Sequence, residues 1–288
     1  MADIPAIALT GLSVTFRSPG RDVTALSDLH ATVPADGIVG LIGRNGAGKT
    51  TLLRVLAGRE PRFTGGAHIH RTPVADIGRT PGLVHLSGAG WPGAPDRSLR
   101  ALIAGLARVH AHFDRARALE LLHRFDVDPT AYPRRLSTGK QTAAMASLAL
   151  ASRAPLTLLD EPQAGLDAPS RDLLTRLIIE EQDLHPRTWV ISTHLIDETA
   201  PLFERVLVLD DGRLVTDADV DELLTRWVRV EADLATLEAL PRLGELERLG
   251  SRGSAIVNAG DLPAGFVGRT HPLTLQALAG VLPLAPKE

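Results

Sequence analysis

The sequence predicts an α/β protein built around a phosphate-binding loop, with an antiparallel β beginning, a helical insertion and a small α+β appendage at its C-terminal end. Three observations carry this prediction. An apolar run, "GIVGLIG", leads into the glycine-rich stretch "GRNGAGKT" at residues 43–50, which opens a segment with apolar residues at helical spacing. A later series alternates short apolar runs with helical stretches, as parallel strands joined by crossover helices do. Between the two, residues 97–152 show three-and-four spacing without strand alternation.

Along the chain, "AIALTGLSVTF" and "LSDLHATVP" alternate apolar with small or polar residues between Gly, Pro and Asp, the pattern of antiparallel strands. "KTTLLRVLAG" is a helix that stops at Gly58. The insertion holds three helical stretches, "RSLRALIAGLARVHAHF", "DRARALELLHRF" and "STGKQTAAMASLALAS". "PLTLLDEP" is a short buried strand. It is followed by the helix "APSRDLLTRLIIEEQDL", the strand "TWVIST", the helix "LIDETAPLFE" and the strand "RVLVL". "VLVLDDGRLVTD" is a hairpin turning at Asp211 and Gly212, because glycine accepts positive φ. A helix near 220–227 precedes the appendage, which mixes short strands and helices and carries no chemical motif.

Composition narrows the function classes. A hydrophobic fraction of 44% over 288 residues suits a globular core. The absence of cysteine excludes disulfides and thiolate metal sites and fits a reducing compartment, so the expected location is cytoplasmic. The formal charge is −3, and the scattered arginines are matched by acids without a basic stripe, which argues against nucleic acid. No basic stretch precedes the first apolar residues, and no run reaches the roughly 20 apolar residues of a membrane-spanning helix. Any membrane crossing is therefore expected from another polypeptide.

The loop at 43–50 matches glycine, four residues, glycine, lysine, then threonine. Its glycines let backbone N–H groups close around phosphate oxygens, Lys49 reaches the β and γ phosphates, and the Thr50 hydroxyl binds Mg²⁺. Gly43, Asn45, Gly46, Ala47, Gly48, Lys49, Thr50 and Thr51 are the candidate nucleotide contacts. "LTLLDEP" puts Asp160 and Glu161 at a strand end, where Asp160 can hold Mg²⁺ and Glu161 can deprotonate the attacking water, although adjacent acids there also suit a solvated turn. "STH" puts His194 on the same sheet edge, within reach of a γ-phosphate. No Asn-Lys-x-Asp guanine motif is present. Ser137 and Gly139 in "LSTGKQ", residues 136–141, stand at a helix start, a second place suited to an anion. Two His-x-His pairs, His68 with His70 and His110 with His112, lack an evident third metal ligand.

As an ordered set, the phosphate loop, "LSTGKQ", "LLDEP", "AGLD" at 164–167 and "STH" resemble the ATP-binding cassette family, the motor subunits of ABC transporters. The resemblance covers about residues 9–224 and implies a P-loop NTPase core of ABC type at 1–224, with its helical subdomain at about 93–154 and the appendage at 225–288. It implies an ATPase using ATP and Mg²⁺, in a head-to-tail homodimer or heterodimer with a second ATP-binding subunit. Each ATP lies between the phosphate loop of one subunit and the "LSTGKQ" of the other, with Ser137 and Gly139 on the γ-phosphate and Asp167 reaching across. Phe16 stands where the family stacks an aromatic on adenine, though a Phe closing a strand equally suits the core. The partner implied is a separate membrane-spanning subunit, which holds this chain on the inner face of the membrane. The tail "PLTLQALAGVL" is similar to bacterial exporter-type extensions.

The pattern departs in two places. Where the family has a glutamine before the helical insertion, this chain has Ser87 and Gly88 in "LVHLSGAGWPG". Thr138 replaces the commonest glycine of the signature, and Lys140 precedes Gln141. Two other readings remain: a regulatory nucleotide-binding module with little hydrolysis, and a non-transport cassette ATPase, which the single phosphate loop and the lack of sustained heptads disfavour.

Overall fold

The alternation of the first segment becomes β1 (Ile7–Phe16), paired antiparallel with β2 (Val23–Val33). The burial of Ile7 and Leu9 resumes out of step at Leu12 and Val14, because a bulge intervenes and Gly11 takes φ +63°. That extra residue returns both halves of the strand to the same core face. The computed structural model describes residues 4–17, 20–88 and 96–282.

β3 (Ile38–Gly43) runs into the phosphate loop and α1 (Lys49–Leu56). The chain then adds β4 (Thr64–Ile69) and β5 (Thr72–Pro73) to the first sheet, giving the order β2-β1-β4-β5. β6 (Val84–Ser87) leads to the helical insertion, α2 (Leu99–Val109), α3 (Arg115–Arg124) and α4 (Thr138–Ser152). Ser98, Asp114 and Ser137 accept backbone N–H bonds as the N-caps of these helices. β7 (Leu156–Asp160), α5 (Ala168–Leu184), β8 (Thr188–Thr193), α6 (Ile196–Thr199), β9 (Arg205–Asp210) and β10 (Arg213–Asp219) complete the core.

The six-stranded sheet has the order β10-β9-β3-β8-β7-β6, with β10 alone antiparallel to its neighbour. Period-two alternation splits its side chains between two cores. Val39, Leu41, Leu158 and Val190 face α1 and the first sheet, while Ile38, Ile42, Leu159 and Ile191 face the helical side. Because β3, β7 and β8 are parallel, Gly43, Asp160 and Thr193 end on one edge.

The β9–β10 hairpin turns as expected, with Asp211 at φ +44° and Gly212 at φ +73°. Its turn is fastened to neighbours: the Gly212 N–H donates to Ala47 O (3.2 Å), and Gly212 O accepts from Ser27 N (2.8 Å). The expected helix "LIDETAPLFE" is shorter than its periodicity suggests. α6 ends at Thr199 and a 3₁₀ turn covers 200–202, where Pro201 has no N–H to continue the ladder. Likewise α2 stops at Val109, leaving His110 and His112 outside it.

Arg117 of α3 joins the insertion to α5. It donates to Glu181 (2.8 Å) and Glu180 (2.7 Å), and Glu181 is only 1% exposed. After α7 (Val220–Arg226) come β11 (Trp227–Asp233), α8 (Leu234–Glu238), β12 (Leu243–Leu249), β13 (Arg252–Asn258), β14 (Arg269–Pro272) and α9 (Leu275–Val281). Their strands form a third sheet, β12-β13-β11-β14. Val230, Ala232, Leu237 and Val257 make its own small core, and Leu243, Ile256, Leu275 and Leu278 merge with the helical-side core.

Candidate functional site

The phosphate loop needs its glycines for two separate reasons. Gly46 and Gly48 take φ +86° and +104°, which side chains rarely adopt. Gly43 has no room for one, since a Cβ would lie 2.4 Å from Leu209 O. The resulting cradle, about 250 Å³, is lined by Arg44, Asn45, Gly46, Gly48, Lys49, Thr50, Thr51, Ala25 and Glu161. Ala47 is buried beneath it. At the start of α1 the first N–H groups lack intrahelical partners, and the helix dipole adds partial positive charge, so the cradle favours an anion.

Lys49 is buried and donates to Gly43 O at 2.7 Å, with Glu161 Oε1 at 3.7 Å. The other Glu161 oxygen, Oε2, lies 2.6 Å from His194 Nδ1 and accepts the His194 backbone N–H at 3.3 Å. One carboxylate therefore links the loop lysine to the histidine at the end of β8. Glu161 itself sits at φ +51°, a strained conformation for a residue with a side chain. Its N–H is held by Ser192 O (3.2 Å) and Ser192 Oγ (2.9 Å).

Asp160 is also buried. It accepts Thr50 Oγ1 at 2.8 Å on one oxygen and Ser192 Oγ at 2.7 Å on the other. Among the described residues no group of three His, Cys, Asp or Glu could hold a metal by itself, so neither His-x-His pair forms a centre. His70 lies beyond the end of β4 at φ +44°, off the face that His68 occupies. The Thr50 hydroxyl beside the Asp160 carboxylate is an all-oxygen donor pair. It fits a Mg²⁺ ion that takes its remaining ligands from water and substrate phosphates.

Ser192 escaped the sequence reading, although it belongs to the same "STH" as His194. Its hydroxyl donates to Asp160 and accepts from Glu161, fixing both acids at once. The available signal was a small hydroxyl at the end of a buried strand paired with the strand of Asp160. Ser192→Ala leaves an Asp160 oxygen short of a donor and is expected to cost about 1–3 kcal/mol of stability. A lowered melting temperature together with reduced turnover checks this.

Among the described residues no hydrogen bond joins the second anion-suited segment, 136–141, to 43–50, and none of its residues lines the cradle; Thr138 and Gln141 instead share a neighbouring pocket with Asp160 and Glu161. Ser137 is exposed, and its Oγ accepts the Lys140 N–H at 3.4 Å. Gly139 packs on the loop after Glu161: a Cβ there would lie 2.6 Å from Gly165 O. Thr142 Oγ1 donates to Ala164 O at 2.9 Å. Lys140 turns away to the Asp126 carboxylate and carbonyl, and Thr138 lies beside Gly165. Asp167 caps α5, accepting Ser170 N at 3.0 Å, and hydrogen bonds from the Ser170 side chain and then its backbone hold the Asp167 carboxyl below the usual range.

Phe16 ends β1 half-buried against the first core, with the Arg62 guanidinium 5.9 Å from its ring centre. It does not line the cradle. Near the expected glutamine position, at Ser87 and Gly88, the backbone of Gly88 approaches Asp160 so closely that a Cβ would lie 2.6 Å from Asp160 Cβ. Introducing the glutamine as Gly88→Gln is therefore expected to displace Asp160. It should lower turnover and cost about 1–3 kcal/mol, as read by phosphate release and thermal melting; a gain in turnover would contradict this packing. Residues 89–93 of the same stretch lie outside the described residues.

A family model described as "ABC transporter" matches residues 26–164. The aliphatic sulfonates import ATP-binding protein SsuB of Granulibacter bethesdensis is 33% identical over 224 residues, covering 76% of this chain and 86% of that protein. The ABC transporter ATP-binding protein YtrB of Bacillus subtilis is 29% identical over 211 residues, 72% of this chain and 70% of the relative. A solved ATP-binding cassette, described as dimeric, post-hydrolysis and bound to ADP and Pi, is 21% identical. It superposes with a TM-score of 0.65 over 74% of this chain and 98% of its own. That likeness shows the fold.

Proposed function

The chain belongs to the ABC transporter family as an ATP-binding, ATP-hydrolysing subunit, and we propose that it works as one half of an ATP-bridged dimer driving a separate membrane-spanning chain. The observation that carries the chemistry is the linked cluster of Thr50, Asp160, Lys49, Glu161 and His194 on one sheet edge. Lys49 and the N–H groups of the loop neutralise the phosphates, where phosphoryl transfer needs charge stabilisation most. Thr50 and Asp160 would hold Mg²⁺, which would supply charge neutralisation for the phosphates. Glu161 accepts the proton of the attacking water, and His194 orients Glu161 through the 2.6 Å contact.

The dimer reading rests on the separation of the two anion-suited segments. Ser137, Gly139 and Asp167 belong to one packed unit, because Gly139 and Thr142 rest on the 164–165 backbone. One subunit can thus present all three to the nucleotide of its partner. The described helices include none long and apolar enough to cross a membrane, which supports a peripheral place on the inner face, reached through the membrane chain. The tail supports export, whereas the SsuB relative is named for import; uptake or efflux by the reconstituted complex decides between them.

A second reading, a regulatory module with little hydrolysis, is favoured by the absence of the family's glutamine near Ser87 and Gly88. Mg²⁺-dependent phosphate release separates the two. Steady turnover supports the transporter reading, and tight ATP binding without turnover, even with the membrane partner present, overturns it.

A further inference from the structure

At the sheet edge opposite the phosphate loop, where β3, β7 and β8 begin, lies a cleft of about 710 Å³. Its size suits a small metabolite. Five loops meet there, and they bring together Arg115, Arg153 and Arg187 with His70, His112 and His185. The only carboxylates lining it are Asp36 and Asp114. Asp114 is engaged twice, by Arg153 Nη2 at 2.9 Å and by the Arg117 N–H it caps. Among the described residues, positive charge exceeds negative in this cleft even with every imidazole neutral.

The donors are also incompletely used. Arg187 is 4% exposed, and its Nε has no hydrogen-bond partner; the buried Nε of Arg153 and Nε2 of His70 have none either. Arg187 is fixed by Leu150 O (2.9 Å) and His185 O (3.4 Å), stacks 4.1 Å from the Trp189 ring centre and, among the described residues, has a single carboxylate near its Nη1. That acid is Glu181, which gives Oε1 to Arg117 and faces Arg187 with Oε2 at 3.7 Å, too far for a hydrogen bond. Burial, opposed by Glu181 and aided by Arg153, pushes the Arg187 guanidinium down to about 10.

We propose that this cleft binds a small phosphorylated metabolite, with its phosphate held by Arg115, Arg153 and Arg187. Several forked guanidinium donors from different loops match the three oxygens of a phosphate better than the two of a carboxylate. The occupant touches the insertion through Arg115 and Arg153 and the sheet through Arg187, and so bridges the two parts of the cassette. The site is independent of the nucleotide cradle and shares no residue with it.

The test uses the full chain with its phosphate loop filled by saturating Mg-ADP. Ribose 5-phosphate is added while the imidazole proton resonances are followed, those of His70, His112 and His185 being assigned by His→Gln variants. Saturable shifts concentrated on these three, and affinity weakened about tenfold in both Arg115→Ser and Arg153→Gln, are the expected result. Should Arg153→Gln lose its fold by circular dichroism, the exposed Arg115→Ser decides alone. Shifts spread over all the histidines, none at all, or affinity unchanged in Arg115→Ser would overturn the site. Citrate binding as tightly as the phosphate ester would overturn the assignment of phosphate.

Discussion

Glu161→Gln reduces ATP turnover by about 10²–10⁴-fold while the protein keeps ATP and elutes as a dimer. The substitution preserves shape: the backbone at φ +51° remains anchored by Ser192 O and Oγ, and an amide of the same length still reaches His194. What disappears is the proposed base. The negative charge that faces Lys49 at 3.7 Å disappears as well, so no carboxylate competes with phosphate for the lysine. Binding is retained or improved while hydrolysis, the step proposed to open the dimer, stops. Single-turnover phosphate release and size-exclusion chromatography with and without ATP check both halves. A monomer at saturating ATP would sink the bridged-dimer proposal, and retained turnover would remove Glu161 from the role of base.

Gly139→Ala is expected to abolish the ATP-dependent dimer of the Glu161→Gln background while monomeric ATP affinity stays within about a factor of two. The added methyl would lie 2.6 Å from Gly165 O, a backbone atom that cannot rotate away. The start of α4 must then move off the loop that carries Asp167, so both cross-interface groups shift together. No residue of this packing lines the phosphate cradle, which is why ATP binding by the single chain is spared. Ser137→Ala gives a milder version, removing a helix cap at about 1 kcal/mol along with a proposed γ-phosphate donor. Equal loss of monomer binding and of dimerisation in either variant would contradict a role across the interface.

Local chemistry made half of the site legible in the sequence. The phosphate loop, the Asp160–Glu161 pair, the His194 strand end and the Asp211–Gly212 turn each declare themselves within a few residues, because glycine conformation and strand burial are local constraints. The remainder depends on contacts between distant segments. Ser192 acquires meaning only when β8 lies beside β7. Gly88 acquires it only when its backbone closes on Asp160, and Lys140 when Asp126 comes within reach. The Thr64–Ile69 strand was weakly marked because Gly65 and Gly66 interrupt its alternation. Its place in the first sheet is set by pairing with β1. The three arginines of the opposite cleft come from separate loops, and their meeting has no trace in spacing.

The Arg117–Glu181 contact has a bearing on how this protein can change over generations. Losing Arg117 leaves the buried Glu181 carboxylate with only Arg187, at 3.7 Å, a loss of about 3–5 kcal/mol, against a total folding stability of about 5–15 kcal/mol. The two positions are therefore constrained to vary as a couple, although 64 residues separate them. A helical insertion taken from a relative lacking an acid at the equivalent of Glu181 would arrive without its counterpart. Grafts between cassettes should succeed where this pair travels intact and fail where only one half is carried over.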